Sequence, residues 1–114
     1  MVRKPELAII NNLRGGEGAI EVYHILNKDE LNGHGKMYAK IVIHPGCSIG
    51  YHQHTEDYEP LFILSGKGIF KDNDGSETEV GAGDVCVMNV GDHHCIRNAS
   101  ETEDLVFMAI VLNA

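Results

Sequence analysis

His52 and His54 stand two positions apart in a segment whose residue types are typical of a β-strand. Side chains at positions i and i+2 share one face of a strand, about 6.5–7 Å apart along the backbone. Both imidazoles can therefore reach a single ion, since imidazole nitrogens bind first-row transition metals at about 2.1 Å. The pair predicts part of a metal site rather than a polar surface loop.

A carboxylate and a third imidazole complete the predicted site. Glu59 opens an apolar strand in which Leu61 and Ile63 share its face. A carboxylate on such a face costs on the order of several kcal/mol unless it is paired or metal-bound. His94 opens another strand, 40 residues after His54. Three imidazoles and one carboxylate oxygen suit a six-coordinate divalent ion with two positions open for water or substrate. The predicted metal ligands are His52, His54, Glu59 and His94.

We expect this site to hold one divalent transition metal per chain. Manganese, iron, nickel, cobalt and zinc are all compatible with these ligand types. Glu59 could remain a ligand throughout or also act as the general base of a reaction at the metal. The alternative is a polar barrel interior that keeps the same four residues without an ion.

We interpret the other polar residues near the predicted metal ligands as structural. Glu56 and Asp57 are expected to be solvated turn carboxylates. His93 should face away from His94, because neighbours on a strand point to opposite faces. Asn98 is expected to tie loops together by hydrogen bonding. Three further histidines show no convergent partner in the sequence and are left out of the site: His24, His34 and His44.

The elements that must position these residues are short strands. Thirteen glycines, three prolines and apolar runs broken by turn residues indicate an all-β chain. The predicted strands are 19–26, 36–43, 48–54, 59–65, 67–72, 76–80, 84–89, 94–98 and 105–112. A turn through Asn73, Asp74 and Gly75 predicts a hairpin between two of them. So many short strands within 114 residues predict a single sandwich or barrel domain over residues 1–114.

Two of these strands are apolar on both faces. In 59–65 and in 105–112, alternate positions are hydrophobic whichever face is considered. Such strands must be covered on both sides, whereas a small β domain has one interior. We therefore expect a homodimer. The alternative is that an N-terminal strand at 7–10 supplies the second layer.

Composition narrows the range of partners and compartments. The formal net charge is −8, from 17 Asp plus Glu and 9 Lys plus Arg, which disfavours nucleic acid as a partner. No run of about 18 apolar residues predicts a membrane span, and the first residues lack the features of a secretory signal. Three cysteines without a C-x-x-C pair disfavour a disulfide framework. We expect a soluble cytoplasmic protein that binds neither nucleic acid nor membrane.

Two segments resemble the motifs that define the cupin superfamily. The first spans 46–66 and matches at Gly46, His52, His54, Glu59 and Gly66. The second spans 83–98 and matches at Gly83, Gly91, His94 and Asn98. Asn89 stands where the second motif usually has proline, a departure at a turn-forming position that leaves the ligand set intact. The resemblance covers nearly half of the chain.

The resemblance implies a double-stranded β-helix, or jelly-roll barrel, with a divalent metal bound by the four matching ligand positions. Cupins with three histidines and one glutamate include dioxygenases, decarboxylases and isomerases that act on small organic molecules. The implied function is therefore that of a small metalloenzyme with a small-molecule substrate. The alternative is a non-catalytic module that binds a metal or a small molecule.

The inward-facing residues predict a mostly apolar ligand cavity. The expected lining residues are Met37, Ala39, Ile41, Ile49, Leu61, Ile63, Ile96 and Phe107. No arginine or lysine is expected to point inward. Such a cavity favours a small, flat or partly apolar ligand over a sugar phosphate.

Overall fold

The computed structural model describes all 114 residues, and ten strands account for most of them. The strands are β1 (Glu6–Asn11), β2 (Ala19–Leu26), β3 (Gly35–Ile43), β4 (Ser48–Gln53), β5 (Asp57–Ser65), β6 (Lys67–Lys71), β7 (Glu77–Gly81), β8 (Val85–Met88), β9 (His93–Asn98) and β10 (Leu105–Asn113). The helical segments are a 3-10 turn at Leu13–Gly15 and the one-turn helix α1 at Lys28–Leu31. Neither helix has the length and apolar character needed to cross a membrane.

The strands form two sheets packed face to face. The larger sheet has the order β1-β2-β3-β10-β5-β8, and the smaller has the order β4-β9-β6-β7. Every paired strand is antiparallel. Between the sheets lie fully buried side chains such as Ile20, Ile63, Ile96 and Phe107. The all-β jelly-roll prediction is confirmed, and all nine predicted strands are present to within two residues at each end.

Local sequence explains why individual elements end where they do. β6 and β7 form the predicted hairpin, with Lys71 opposite Glu77, because the turn between them closes on Gly75. The helix α1 begins at a capping box, in which Asn27 accepts from the Glu30 amide and Glu30 accepts from the Asn27 amide. The 3-10 turn at Leu13–Gly15 was not predicted, because its short, glycine-rich segment carries no periodicity.

The predicted alternation in β5 and β10 is confirmed, and it leaves one apolar face open. On β5 the side chains of Leu61 and Ile63 are buried, whereas Phe62 is 46 % exposed. Val85 on the neighbouring strand β8 is 61 % exposed. The N-terminal strand expected at 7–10 exists as β1, but it pairs with β2 at the opposite edge of the larger sheet. It therefore extends that sheet and does not cover the open face of β5 and β8.

Candidate metal centre

Three strands and the segment after one of them bring the predicted ligands together. His52 on β4 lies directly opposite His94 on β9 in the antiparallel ladder. His54 follows the end of β4, where its amide donates to the carbonyl of Asp92 and its carbonyl accepts from the amide of Gly91. Glu59 faces these imidazoles from β5, and its side chain is 8 % exposed. We call these four residues the histidine–glutamate cluster: His52, His54, Glu59 and His94.

The potential ligand atoms of the histidine–glutamate cluster are separated as the ligands of one ion would be. Nε2 of His94 lies 2.9 Å from Nε2 of His52 and 3.1 Å from Nε2 of His54. Oε1 of Glu59 lies 3.2 Å from Nε2 of His54 and 3.6 Å from Nε2 of His94. Adjacent ligands of an octahedral ion lie about 3 Å apart when the bonds are about 2.1 Å long. The cluster could therefore hold a metal.

Hydrogen bonds on the far side of two imidazoles define which nitrogen is available. Nδ1 of His52 lies 2.7 Å from the carbonyl oxygen of Gly50, and Nδ1 of His54 lies 2.5 Å from Oδ1 of Asp57. Carbonyl and carboxylate oxygens only accept, so each Nδ1 carries a proton and Nε2 is the nitrogen left to bind a metal through its lone pair. Lone pairs that converge with a carboxylate repel one another unless a cation lies between them. This donor set fits a divalent metal.

Burial keeps two of the imidazoles neutral, which is the form that binds metals. His94 is 2 % exposed, and this burial lowers its pKa to about 3. Burial is also the main cause that lowers the pKa of His52. Nδ1 of His94 is buried without a hydrogen-bond partner, and the ring of Phe70 packs 5.8 Å away between centroids. Packing therefore orients His94, whereas hydrogen bonds orient the other two rings.

Asp57 is not the solvated turn residue that was expected from the sequence. It is buried, and its Oδ2 accepts from Nζ of Lys36 at 2.8 Å while Oδ1 binds His54. Burial acts to raise the pKa of Asp57, but the hydrogen bonds from Lys36 and His54 outweigh it and lower that pKa. The nearby carboxylate of Glu59, and then that of Asp57, raise the pKa of His54 against the effect of burial. Asp57 therefore orients a predicted metal ligand.

The sequence contains the alternation that places Asp57 on the inward face, but the predicted strand began two residues after it. β5 begins at Asp57 rather than at residue 59, so Asp57 shares the inward face of Glu59 by simple alternation. Glu56 is exposed, in agreement with its predicted role as a solvated carboxylate.

A cavity of about 240 Å³ opens beside the histidine–glutamate cluster. Ten of its 16 lining residues are hydrophobic, and six of the eight predicted lining residues are among them. Ala39 and Ile63 belong to the packed core instead. The polar lining outside the cluster consists of Arg14 and His24. Arg14 was not among the expected lining residues and contributes an exposed side chain to the cavity, and His24 lies at the site despite having been left out of it.

Two neighbours of the cluster behave as predicted. His93 faces away from the cavity, where its ring stacks on Tyr51 at 5.4 Å and its amide donates to Oδ1 of Asn73. Asn98 is buried and ties loops together, because its Nδ2 donates to the carbonyls of Ile43 and Glu103, each at 2.8 Å.

Asn89 makes a contact that proline could not make. Its amide donates to Oδ2 of Asp92 at 3.0 Å, which closes the turn before β9. The departure from the usual motif therefore replaces a rigid proline with a hydrogen-bonded turn and leaves His94 in place.

Comparisons with known proteins agree with this geometry. A family model described as "Cupin domain" matches residues 39–111. A protein of Thermotoga maritima named "Oxalate-binding protein" is 39 % identical over 103 residues, which cover 90 % of this chain and 84 % of the relative.

Solved structures show the same fold. A crystal structure of a predicted oxalate decarboxylase from Thermotoga maritima has a TM-score of 0.92 and 35 % identity, covering 100 % of this chain and 99 % of the other. A Cupin 2 conserved barrel domain protein from Salinispora arenicola has a TM-score of 0.77 and 24 % identity, covering 100 % of this chain and 90 % of the other. The second likeness bears on the fold alone.

Proposed function

The chain belongs to the cupin family, and from that premise we propose that it binds one divalent transition metal at the histidine–glutamate cluster and holds a small organic ligand there. The observation that carries the proposal is the convergence of three Nε2 atoms and one carboxylate oxygen within 4.8 Å of one another. Manganese, iron, nickel, cobalt and zinc remain the candidate ions.

The ligand that we propose is a small carboxylate, of which oxalate is the first candidate. Support comes from the related protein of Thermotoga maritima, whose name describes oxalate binding. A divalent metal is a Lewis acid, and carboxylate oxygens bind to it. The chain's own contribution is a small cavity whose mostly hydrophobic walls limit the size of the ligand.

The second candidate function is catalysis, and decarboxylation is the reaction type with specific support. Glu59 places a buried carboxylate at the cluster, where it could act as a general base as well as a ligand. The related structure with 35 % identity is that of a predicted oxalate decarboxylase. For the other reaction types considered, the dioxygenases and isomerases, no feature of the cavity gives comparable support.

Metal analysis and ligand titration test the proposal together. Purified wild-type protein should contain close to one transition metal per chain, and a His52→Ala, His94→Ala double variant should contain almost none. His34→Ala is the matched control, because this exposed histidine lies outside the cavity. Oxalate should bind the metal-loaded protein and not the stripped protein, and release of carbon dioxide would identify a decarboxylase. Full metal content in the double variant would refute the site.

We also propose that two copies of the chain associate through the outer face of β5 and β8. This face exposes large hydrophobic side chains that no element of the chain covers: Tyr58, Phe62, Leu64, Val85 and Val87. A shallow apolar depression of about 150 Å³ lies on it, between Tyr38, Phe62 and Val85. A two-fold homodimer would bury both copies of the patch at once.

The proposed location is the cytoplasm. All three cysteines are free thiols, which is the usual state in a reducing compartment.

A further inference from the structure

Arg14 is a cation in the cavity that has no partner within the protein. The chain has three arginines. Arg3 pairs with Glu30, and Arg97 pairs with Glu77 at 2.9 Å, but Arg14 forms neither a hydrogen bond through its side chain nor an ion pair. It lines the same cavity as the histidine–glutamate cluster. Arg14 is exposed, so it presents a solvent-accessible guanidinium at the rim of a cavity that also holds the predicted metal site.

The backbone holds Arg14 against the strand that carries His52. A Cβ added at Gly50 would overlap the carbonyl oxygen of Arg14, and one added at Gly16 would overlap the carbonyl oxygen of Ser48. These close approaches press the 3-10 turn onto β4. The carbonyl of Gly50 also accepts from Nδ1 of His52, so one stretch of backbone positions both Arg14 and His52.

The conformation of Arg14 is itself unusual. Its φ of 55° and ψ of 29° lie in the left-handed region, as does the φ of 51° at Asn12. Non-glycine residues adopt this region at an energetic cost and are over-represented at functional sites. The side chain of Asn12 donates to the carbonyl of Gly16 at 3.0 Å and thereby closes the turn around Arg14.

The charge of Arg14 lies at the same cavity as the histidine–glutamate cluster. Arg14 lines this cavity together with all four members of the cluster, so its positive charge would add to that of a bound ion. With a divalent ion bound, Glu59 would balance only one of the positive charges in the cavity. The mostly hydrophobic walls of the cavity offer a bound anion few other polar partners.

We propose that Arg14 is a specificity-determining residue that selects small dicarboxylates, which carry a second negative charge beyond the one bound at the cluster, over monocarboxylates of the same size. This inference rests on the proposed function, because it assumes that a carboxylate binds at the metal. A guanidinium suits the role, since its planar fork pairs with a carboxylate through two parallel hydrogen bonds.

The experiment compares oxalate with oxamate, which has the same skeleton but an uncharged amide in place of one carboxylate. Both are titrated calorimetrically into the protein loaded with Mn²⁺. Arg14→Gln should weaken oxalate binding roughly 10- to 100-fold, the usual effect of losing a hydrogen bond to a charged group, and should change oxamate binding little. Arg14→Lys, which keeps the charge without the fork, should recover part of the preference.

Two controls separate a local effect from a general one. Arg97→Gln removes the same charge from an exposed ion pair on the outside of the smaller sheet and should leave both affinities unchanged. The metal content and thermal midpoint of Arg14→Gln should match the wild type. The wild-type protein gives a test that needs no variant, because its oxalate-to-oxamate affinity ratio must exceed that of free Mn²⁺ in the same buffer.

Failure of the proposed function and failure of the role of Arg14 would give different results. If neither anion binds the Mn²⁺-loaded wild-type protein, the proposed function is wrong and the inference falls with it. If both bind and the affinity ratio is the same in Arg14→Gln, or if the wild-type ratio equals that of free Mn²⁺, only the role of Arg14 is overturned.

Discussion

Asp57 and His54 are joined by a hydrogen bond of 2.5 Å between Oδ1 and Nδ1, and both residues are buried. The other carboxylate oxygen of Asp57 accepts from Lys36, so the carboxylate is held from two sides. This arrangement leaves the His54 ring one orientation in which Nε2 faces the other members of the histidine–glutamate cluster. A carboxylate in this position also makes the imidazole a stronger ligand.

Replacing Asp57 should weaken metal binding without removing a metal ligand. We expect Asp57→Ala to reduce metal affinity roughly 10- to 100-fold, the usual cost of losing such a supporting residue. Asp57→Asn should fall in between, because its amide oxygen still accepts from Nδ1. Chelator competition measures both, and the exposed neighbour Glu56 provides the control variant Glu56→Gln. Equal affinity in Asp57→Ala and the wild type would show that packing alone orients His54.

A methyl group at Gly50 should displace the turn that carries Arg14. Gly50→Ala places a Cβ in overlap with a backbone oxygen, which forces the 3-10 turn away from β4. We expect a loss of about 1–3 kcal/mol in the free energy of unfolding, typical of overpacking, together with weaker oxalate binding. Gly81→Ala is the control, since its nearest contact would be an ordinary 3.7 Å. Urea denaturation gives the first quantity, and an unchanged midpoint would contradict the close packing.

His44 should make stability depend on pH. It contacts Glu21 through Nε2 and Asp104 through Nδ1, the latter at 2.7 Å, and the hydrogen bond to Asp104 is the main cause that raises its pKa. A raised pKa means that the stabilisation is complete below the unfolded value of about 6.5 and is lost as the pH rises through the higher folded value. Because His44 is 44 % exposed, we expect at most about 1 kcal/mol.

The comparison of wild type with His44→Gln measures this contribution. Urea denaturation at about pH 6 should show the wild type to be more stable, and the difference should shrink toward about pH 9. His34→Gln, at an exposed position without an ion pair, should show no such trend. A difference that stayed constant across this range would mean that His44 acts through packing and not through charge.

A charge on the open apolar face should prevent association of two copies. We expect the wild-type protein to have the mass of a dimer in light scattering, and Val85→Glu to have the mass of a monomer, because burial would desolvate the new carboxylate. Thr78→Glu adds the same charge at an exposed position of the smaller sheet and should remain dimeric. A monomeric wild type would exclude the proposed interface.

Much of the fold and the cluster was predictable because both depend on short-range regularities. Alternation with a period of two determines which side chains of a strand face inward, so Leu61 and Ile63 already indicated that Glu59 is buried. The i, i+2 spacing placed His52 and His54 on one side of their strand. His94 could be added because a second motif, with its own glycine turn, lies at the expected distance along the chain.

Only the tertiary structure shows that three further residues lie near the cluster: Asp57, His24 and Arg14. Asp57 shares the periodicity of Glu59, but the start of a strand depends on cross-strand pairing, here of Asp57 with Asn113 on β10. The position of His24 depends on how β2 joins the larger sheet.

Arg14 belongs to a glycine-rich segment without hydrophobic periodicity, so the sequence does not predict which way its side chain points. The sequence by itself determined the barrel and the four residues of the histidine–glutamate cluster, since strand periodicity and motif spacing are local properties. The surroundings of that cluster were decided by tertiary packing, because Arg14 reaches the cavity only where two glycines, Gly16 and Gly50, allow its turn to approach β4.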